Sequence, residues 1–116
     1  MPLITIRTNA KVEDPKLSQL LAECSKKLAT LTGKPESYVM TLAGRVAAMT
    51  MAGSDQPACL VEIRSVGKLS GEQSRAMSKA FSDILSAGLS VDPRRIYMNF
   101  EEVEGSKWGW NGDTFG

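Results

Sequence analysis

Two stretches of the chain carry the same order of elements at an offset of about 57–59 residues, and this repeat is the strongest constraint on the fold. The first opens on Leu3 to Thr8, a short run rich in Ile and Thr that suits a strand. Asp14-Pro15 follows as a helix start, with Asp as N-cap and Pro at the first helical position. Leu17, Leu20, Leu21, Cys24, Leu28 and Leu31 recur at helical spacing and make one apolar face. Lys26 and Lys27 fall on the other side, towards the end where cations favour the helix dipole, and Gly33 stops the helix. Tyr38-Val39-Met40-Thr41-Leu42 reads as a second strand.

The order then returns. Leu60 to Val66 alternates like a half-buried strand, and Ser70-Gly71-Glu72-Gln73 fits a capping box. Met77, Ala80, Phe81, Ile84 and Leu85 form the apolar face of a second helix, with Gly88 near its end, and Ile96 to Phe100 is another strand. Ile4 answers to Val61, Pro35 to Pro93, and Tyr38 to Tyr97. Between the halves, Ala43 to Pro57 is rich in Ala, Gly and Met and is expected to hold a short strand around Val46 to Met51.

Two β-α-β units predict an α/β (α+β) fold: one four-stranded mixed sheet with both helices on one face. The reading is a single domain over residues 1–116, with repeat one at about 2–45 and repeat two at about 58–103. A C-terminal hairpin at about 107–116 turns at Asn111-Gly112. The strands carry apolar residues at both parities, as in Leu3-Ile4 and Ile96 to Phe100, so the second sheet face needs cover and an oligomer is expected.

Composition narrows the chemistry. Fourteen Lys and Arg against 13 Asp and Glu leave a net charge of +1, which lacks the basic footprint of a nucleic-acid or anionic-membrane binder. Histidine is absent, which removes Ser-His-Asp and Cys-His catalysis, His-containing zinc sites and His-ligated haem. Cys24 and Cys59 lie 35 residues apart, too far for a zinc motif or a redox Cys-x-x-Cys, and read as reduced core thiols. No metal or cofactor is therefore expected. No apolar run approaches the roughly 18 residues that span a bilayer. Met1 to Arg7 lacks the features of a signal peptide, so a cytoplasmic location is expected.

General acid–base work then falls to Lys, Tyr, Asp, Glu or the chain terminus. Pro2 is the informative residue, because removal of an initiator Met before a small residue exposes a secondary amine. An α-amino group titrates at about 7.7–8.0, nearer neutrality than lysine. A secondary amine starts higher, and burial or a nearby cation would pull it down. The plain alternative is that Pro2 starts a strand, where proline is tolerated.

Several blocks together resemble the macrophage migration inhibitory factor family of the tautomerase superfamily. They are Met1-Pro2-Leu3-Ile4-Thr5-Ile6-Arg7-Thr8-Asn9, Thr32-Gly33-Lys34-Pro35-Glu36-Ser37-Tyr38 and Ser65-Val66-Gly67-Lys68. Arg95-Ile96-Tyr97-Met98-Asn99-Phe100 and Gly109-Trp110-Asn111-Gly112-Asp113-Thr114-Phe115 complete the set, in the family's order and spacing. The resemblance implies a homotrimer and a keto–enol tautomerase of phenylpyruvate-like α-keto acids. It implies Pro2 as the base, Lys34 as the holder of the substrate carboxylate, and the backbone N–H of Val66 as its aid. Tyr97 and Asn99 would come from a neighbouring subunit, with Tyr38, Trp110 and Phe115 as aromatic residues around the pocket. Trp108 replaces a smaller aliphatic residue near the pocket mouth. A phenylpyruvate-like substrate needs such a cation, base and flat apolar slot, and no cofactor.

The chain also departs from the family. Ala58 and Val61 stand where animal members carry the two cysteines of a Cys-x-x-Cys, so thiol-reductase activity is not expected. Val12 and Val46 stand nearest the Arg and Asp of a chemokine-like motif, which weakens the case for receptor binding. A single Lys34 in place of several arginines disfavours dicarboxylate substrates. The alternative to an enzyme is a non-catalytic, cytokine-like binding or signalling protein on the same fold.

Overall fold

A computed structural model describes all 116 residues. Strand β1 (Pro2–Thr8) leads to helix α1 (Asp14–Thr32) and strand β2 (Met40–Arg45); β3 (Cys59–Val66), α2 (Gly71–Leu89) and β4 (Ile96–Val103) repeat the unit. A small hairpin, β5 (Gly109–Trp110) and β6 (Asp113–Thr114), ends the chain. The sheet order is β2-β1-β3-β4, with β1 antiparallel to β3 and each outer strand parallel to its inner neighbour. This is the mixed sheet expected from two right-handed β-α-β units placed side by side.

Alternation decides which sheet face is covered. Ile4, Ile6 and Thr8 face the helices and are buried, and across the ladder they meet Ile63, Val61 and Cys59. The helices bring Leu20, Cys24 and Leu28 from α1 and Met77, Phe81 and Leu85 from α2 into the same core. They approach closely at Gly88, where an added Cβ would lie 2.3 Å from Leu20 Cδ2. Ser70 and Gln73 make the expected capping box, and Gly33 ends α1 at φ 70°.

Several details differ from the sequence reading. The N-cap of α1 is Glu13, and Asp14 lies in the first turn, its carboxylate 2.7 Å from Arg45 Nη2 on β2. That ion pair draws the Asp14 side chain away from a capping role. Lys26 and Lys27 fall short of the last turn of α1, which holds no basic residue. Tyr38 is not in a strand. Pro35, at φ −63°, starts a tight turn over Glu36–Tyr38, so β2 begins only at Met40. The matching turn before β4 is Pro93–Arg95. The first strands, the helices and the turns therefore repeat at an offset of 57 in their starting residues, and the second strands, from Met40 and Ile96, at 56. Tyr38 answers to Arg95 and not to Tyr97, and Pro35 answers to Asp92 and not to Pro93.

No strand forms over Val46 to Met51. Beyond β2 the segment holds only a reciprocal bridge between Met51 and Ser54, because side chains rather than a neighbouring strand hold its carbonyls. The uncovered sheet face is also less apolar than expected. Its middle carries cross-strand ion pairs, Arg7 with Glu62 and Arg64 with Glu101, the latter at 3.0 Å. Large apolar residues lie exposed towards its edges, at Met40 and Leu42 on β2 and Tyr97 on β4.

Candidate active site

Part of the candidate set lies at the amino-terminal end of β1. Pro2 is fully buried and stands opposite Ser65 in the β1–β3 ladder. Leu3 pairs with Met40, so β2 begins beside the start of β1, directly after the turn that carries Tyr38. On the other side β3 ends at Val66, in register with Val103. Pro2, the Val66 backbone and the turn that carries Tyr38 thus lie at one end of the sheet, because β1 starts there, β3 finishes there and β2 is about to begin.

Lys34 follows the left-handed Gly33, and its backbone N–H donates to Ala29 O at 3.2 Å. The chain is thereby turned off α1 towards β1. The lysine is half-buried and has no acidic partner. The amino group at the chain start is held below its ordinary value of 8.0, first by burial and then by the positive charge of Lys34. In the full chain that amine belongs to Met1, and the nitrogen of Pro2 is an amide without basicity.

The aromatic residues gather. Tyr38 meets Trp110 edge-on at 5.4 Å between ring centroids and Phe115 edge-on at 6.1 Å, and Trp110 stacks on Phe115 at 5.7 Å. The hairpin builds this cluster. Asn111 (φ 53°) and Gly112 (φ 77°) take the two positive φ values of a tight two-residue turn. The Phe115 N–H donates to Gly105 O and Trp108 O and folds the tail back. Trp108 is half-buried, and its ring joins none of these pairs.

Tyr97 and Asn99 are elsewhere. Tyr97 pairs with Leu60, which pairs with Arg7; Asn99 pairs with Glu62, which pairs with Thr5. With about 3.3 Å per residue and 4.8 Å between strands, Tyr97 lies roughly 19 Å from Pro2 of its own chain, and Asn99 roughly 14 Å. Tyr97 is exposed instead on the wall of an apolar pocket of about 420 Å³ with Met49, Met51, Ala52, Cys59 and Leu60.

Both cysteines are free and buried. Burial, with Glu23 nearby, pushes the Cys24 thiol up to about 12, and burial also raises that of Cys59. Neither has the thiolate character of a reactive cysteine.

Comparison with known proteins gives the family. The family model for macrophage migration inhibitory factor (MIF) matches residues 1–116. The chain belongs to the macrophage migration inhibitory factor family. It is 36% identical to the macrophage migration inhibitory factor of Meriones unguiculatus, over 99% of each chain. It is likewise 36% identical to the homolog from Trichuris trichiura, over 99% of this chain and all of the other. Among solved structures, the homologue from Prochlorococcus marinus superposes with a TM-score of 0.92 at 41% identity, over 98% of this chain and 99% of that one.

Within this family the fold is that of the tautomerase superfamily. No helix is long and apolar enough to cross a membrane. The sequence reading missed two residues near the pocket, Asn9 and Arg95, whose side chains shape the segment before β3. Both stand at the edges of blocks that carry the family resemblance, but no local pattern marks their role. Asn9 reads as a loop residue, and Arg95 is one of two adjacent arginines, of which only Arg94 pairs with Asp92.

Proposed function

We propose that this family member is a keto–enol tautomerase of phenylpyruvate-like α-keto acids, working as a homotrimer with its sites between subunits. Removal of Met1 makes Pro2 the terminal amine, at the place where burial and Lys34 already disfavour a protonated amine. The observation that carries the reading is Lys34: a half-buried cation with no acidic partner whose charge acts on the amino terminus. A lysine so placed leaves its donors free for an anion and keeps the neighbouring base neutral.

In this reading the substrate carboxylate lies on Lys34, with the backbone N–H of Val66 beside it. Neutral Pro2 removes the proton from the carbon next to the keto group, the electrons move to the carbonyl oxygen, and the prolinium returns a proton to that oxygen. The reverse path ketonises the enol. Both directions balance without an oxidant or a cofactor. Tyr38, Trp110 and Phe115 provide a flat apolar surface for the ring. Trp108 borders that surface and bears on which rings fit.

Tyr97 and Asn99 are too far from Pro2 to serve it within one chain, and their exposure near an open sheet edge suits their use by a neighbour. The test is an enol–keto assay with phenylpyruvate on protein whose N-terminal mass shows Met1 absent. Turnover that disappears in Pro2→Gly is expected. No turnover from correctly processed protein would overturn the reading.

A further inference from the structure

The side chain of Arg95 closes on the backbone of a single loop. Its Nε donates to Pro57 O, its Nη1 to Met51 O, and its Nη2 to both Ser54 O and Gln56 O, each at 3.0 Å. Asn9, just past the end of β1, grips the same segment, with Nδ2 donating to Asp55 O at 3.0 Å and Oδ1 accepting from Ala58 N at 2.9 Å. The loop contributes little of its own, since Met51 and Ser54 exchange a single pair of backbone hydrogen bonds. Its shape is therefore dictated largely by two side chains reaching in from positions that flank the sheet strands β1 and β4.

That shape forms one side of a pocket. Met49 to Ala52 make one wall of the 420 Å³ cavity, and Ala58, Cys59, Leu60 and Tyr97 make the other. Seven of these eight lining residues are apolar, so the loop presents side chains to the cavity while Arg95 collects its carbonyls. Arg95 also ends the tight turn that starts β4, two residues before Tyr97. The guanidinium thus holds one wall while its own strand carries the other.

From this geometry we infer that Arg95 is a positioning residue that sets the width of the slot between Met51 and Tyr97, and through it how Tyr97 is presented to the substrate of a neighbouring copy. The inference rests on the proposed tautomerase reading, in which Tyr97 serves the substrate. A planar fork with five donors suits four carbonyls spread over seven residues, and a lysine ammonium has only three donors on one atom. The role is separate from the base, because Arg95 lies at the opposite end of the sheet from Pro2.

The test compares Arg95→Lys, Arg95→Gln and Met51→Ala with the wild type, all with Met1 removed, by phenylpyruvate kinetics and by equilibrium binding of phenylpyruvate. In Arg95→Gln we expect KM to rise about tenfold with kcat and the pH-rate midpoint unchanged, the pattern of lost uniform binding. Arg95→Lys should recover part of the loss. Met51→Ala, which opens the slot and leaves the guanidinium in place, should raise KM in the same way even if the arginine variants do not fold. An unchanged KM in Met51→Ala, or a shifted midpoint with a matching fall in kcat in a folded Arg95 variant, overturns the inference. If the wild type binds phenylpyruvate without turning it over, the tautomerase reading fails. The Arg95 inference then stands or falls on whether the variants weaken that binding. No binding by the wild type overturns both.

Discussion

Lys34 stands close enough to the amino group of Met1 for its charge to lower that amine's proton affinity, adding to the larger effect of burial. Both influences oppose the cation and neither opposes the neutral amine. The unfolded chain therefore binds more protons than the folded one between the depressed folded value and the ordinary 8.0, and the amine's contribution to stability rises with pH across that window.

For the processed enzyme the same sign governs activity. Under the proposed function Pro2 works as a base only when neutral, so the rate on keto substrate should fall as pH drops and the amine takes up a proton. Lys34→Ala should move that midpoint upward, because one of the two depressing influences is gone. It should also weaken carboxylate binding by about 1.5–3 kcal/mol, the range for a hydrogen bond to a charged group. That corresponds to roughly 10–150-fold in KM. A pH-rate series on wild type and variant checks both effects, and an unmoved midpoint would separate Lys34 from the base.

Much of the fold is legible in the sequence. The Leu periodicity of α1, the Ser70–Gln73 capping box and the alternation of β3 each follow from local chemistry, and each is present. Tyr38 favours a strand by its side chain, but the turn that Pro35 starts three residues earlier decides its place. The segment before β3 was unreadable for a different reason. Its conformation is set by Asn9 and Arg95, 40 or more residues away from Met49 and Met51. Nothing within the segment records them. The separation of Tyr97 from Pro2 is likewise a matter of strand order, which no local pattern encodes.

The two thiols should be inert. Each is buried and free, and burial holds each in its neutral form. Iodoacetamide at pH 8 should label the folded protein far more slowly than the same protein in denaturant, by mass spectrometry. Insulin reduction should be no faster than in buffer, since Ala58 and Val61 leave Cys59 without a partner for a dithiol cycle. Rapid labelling of Cys59 in the folded state would show that the pocket beside it opens.

Ser65 carries the one buried side-chain oxygen without a hydrogen-bond partner, and it sits directly across the ladder from Pro2. Such a group has lost its water without replacement. Ser65→Ala should therefore leave the full chain as stable as the wild type or raise its melting temperature by a few degrees, as expected for about 1 kcal/mol in a chain of this size. A fall of similar size would reveal a partner for the hydroxyl.

Subunit mixing tests the placement of Tyr97. If each site joins Pro2 of one copy to Tyr97 of another, Pro2→Gly and Tyr97→Ala abolish or weaken different halves of the same site. Co-refolding the two inactive or weakened variants should then restore activity, because some interfaces unite an intact Pro2 with an intact Tyr97. A site confined to one chain would regain nothing, since every chain in the mixture carries one of the defects. The strand register favours the first outcome: Tyr97 is five residue steps along the sheet and two strands across from Pro2. Sedimentation of the mixture should show trimers throughout. Recovered turnover from such material would tie the activity to the assembly, whereas monomers at micromolar concentration would remove Tyr97 and Asn99 from the site.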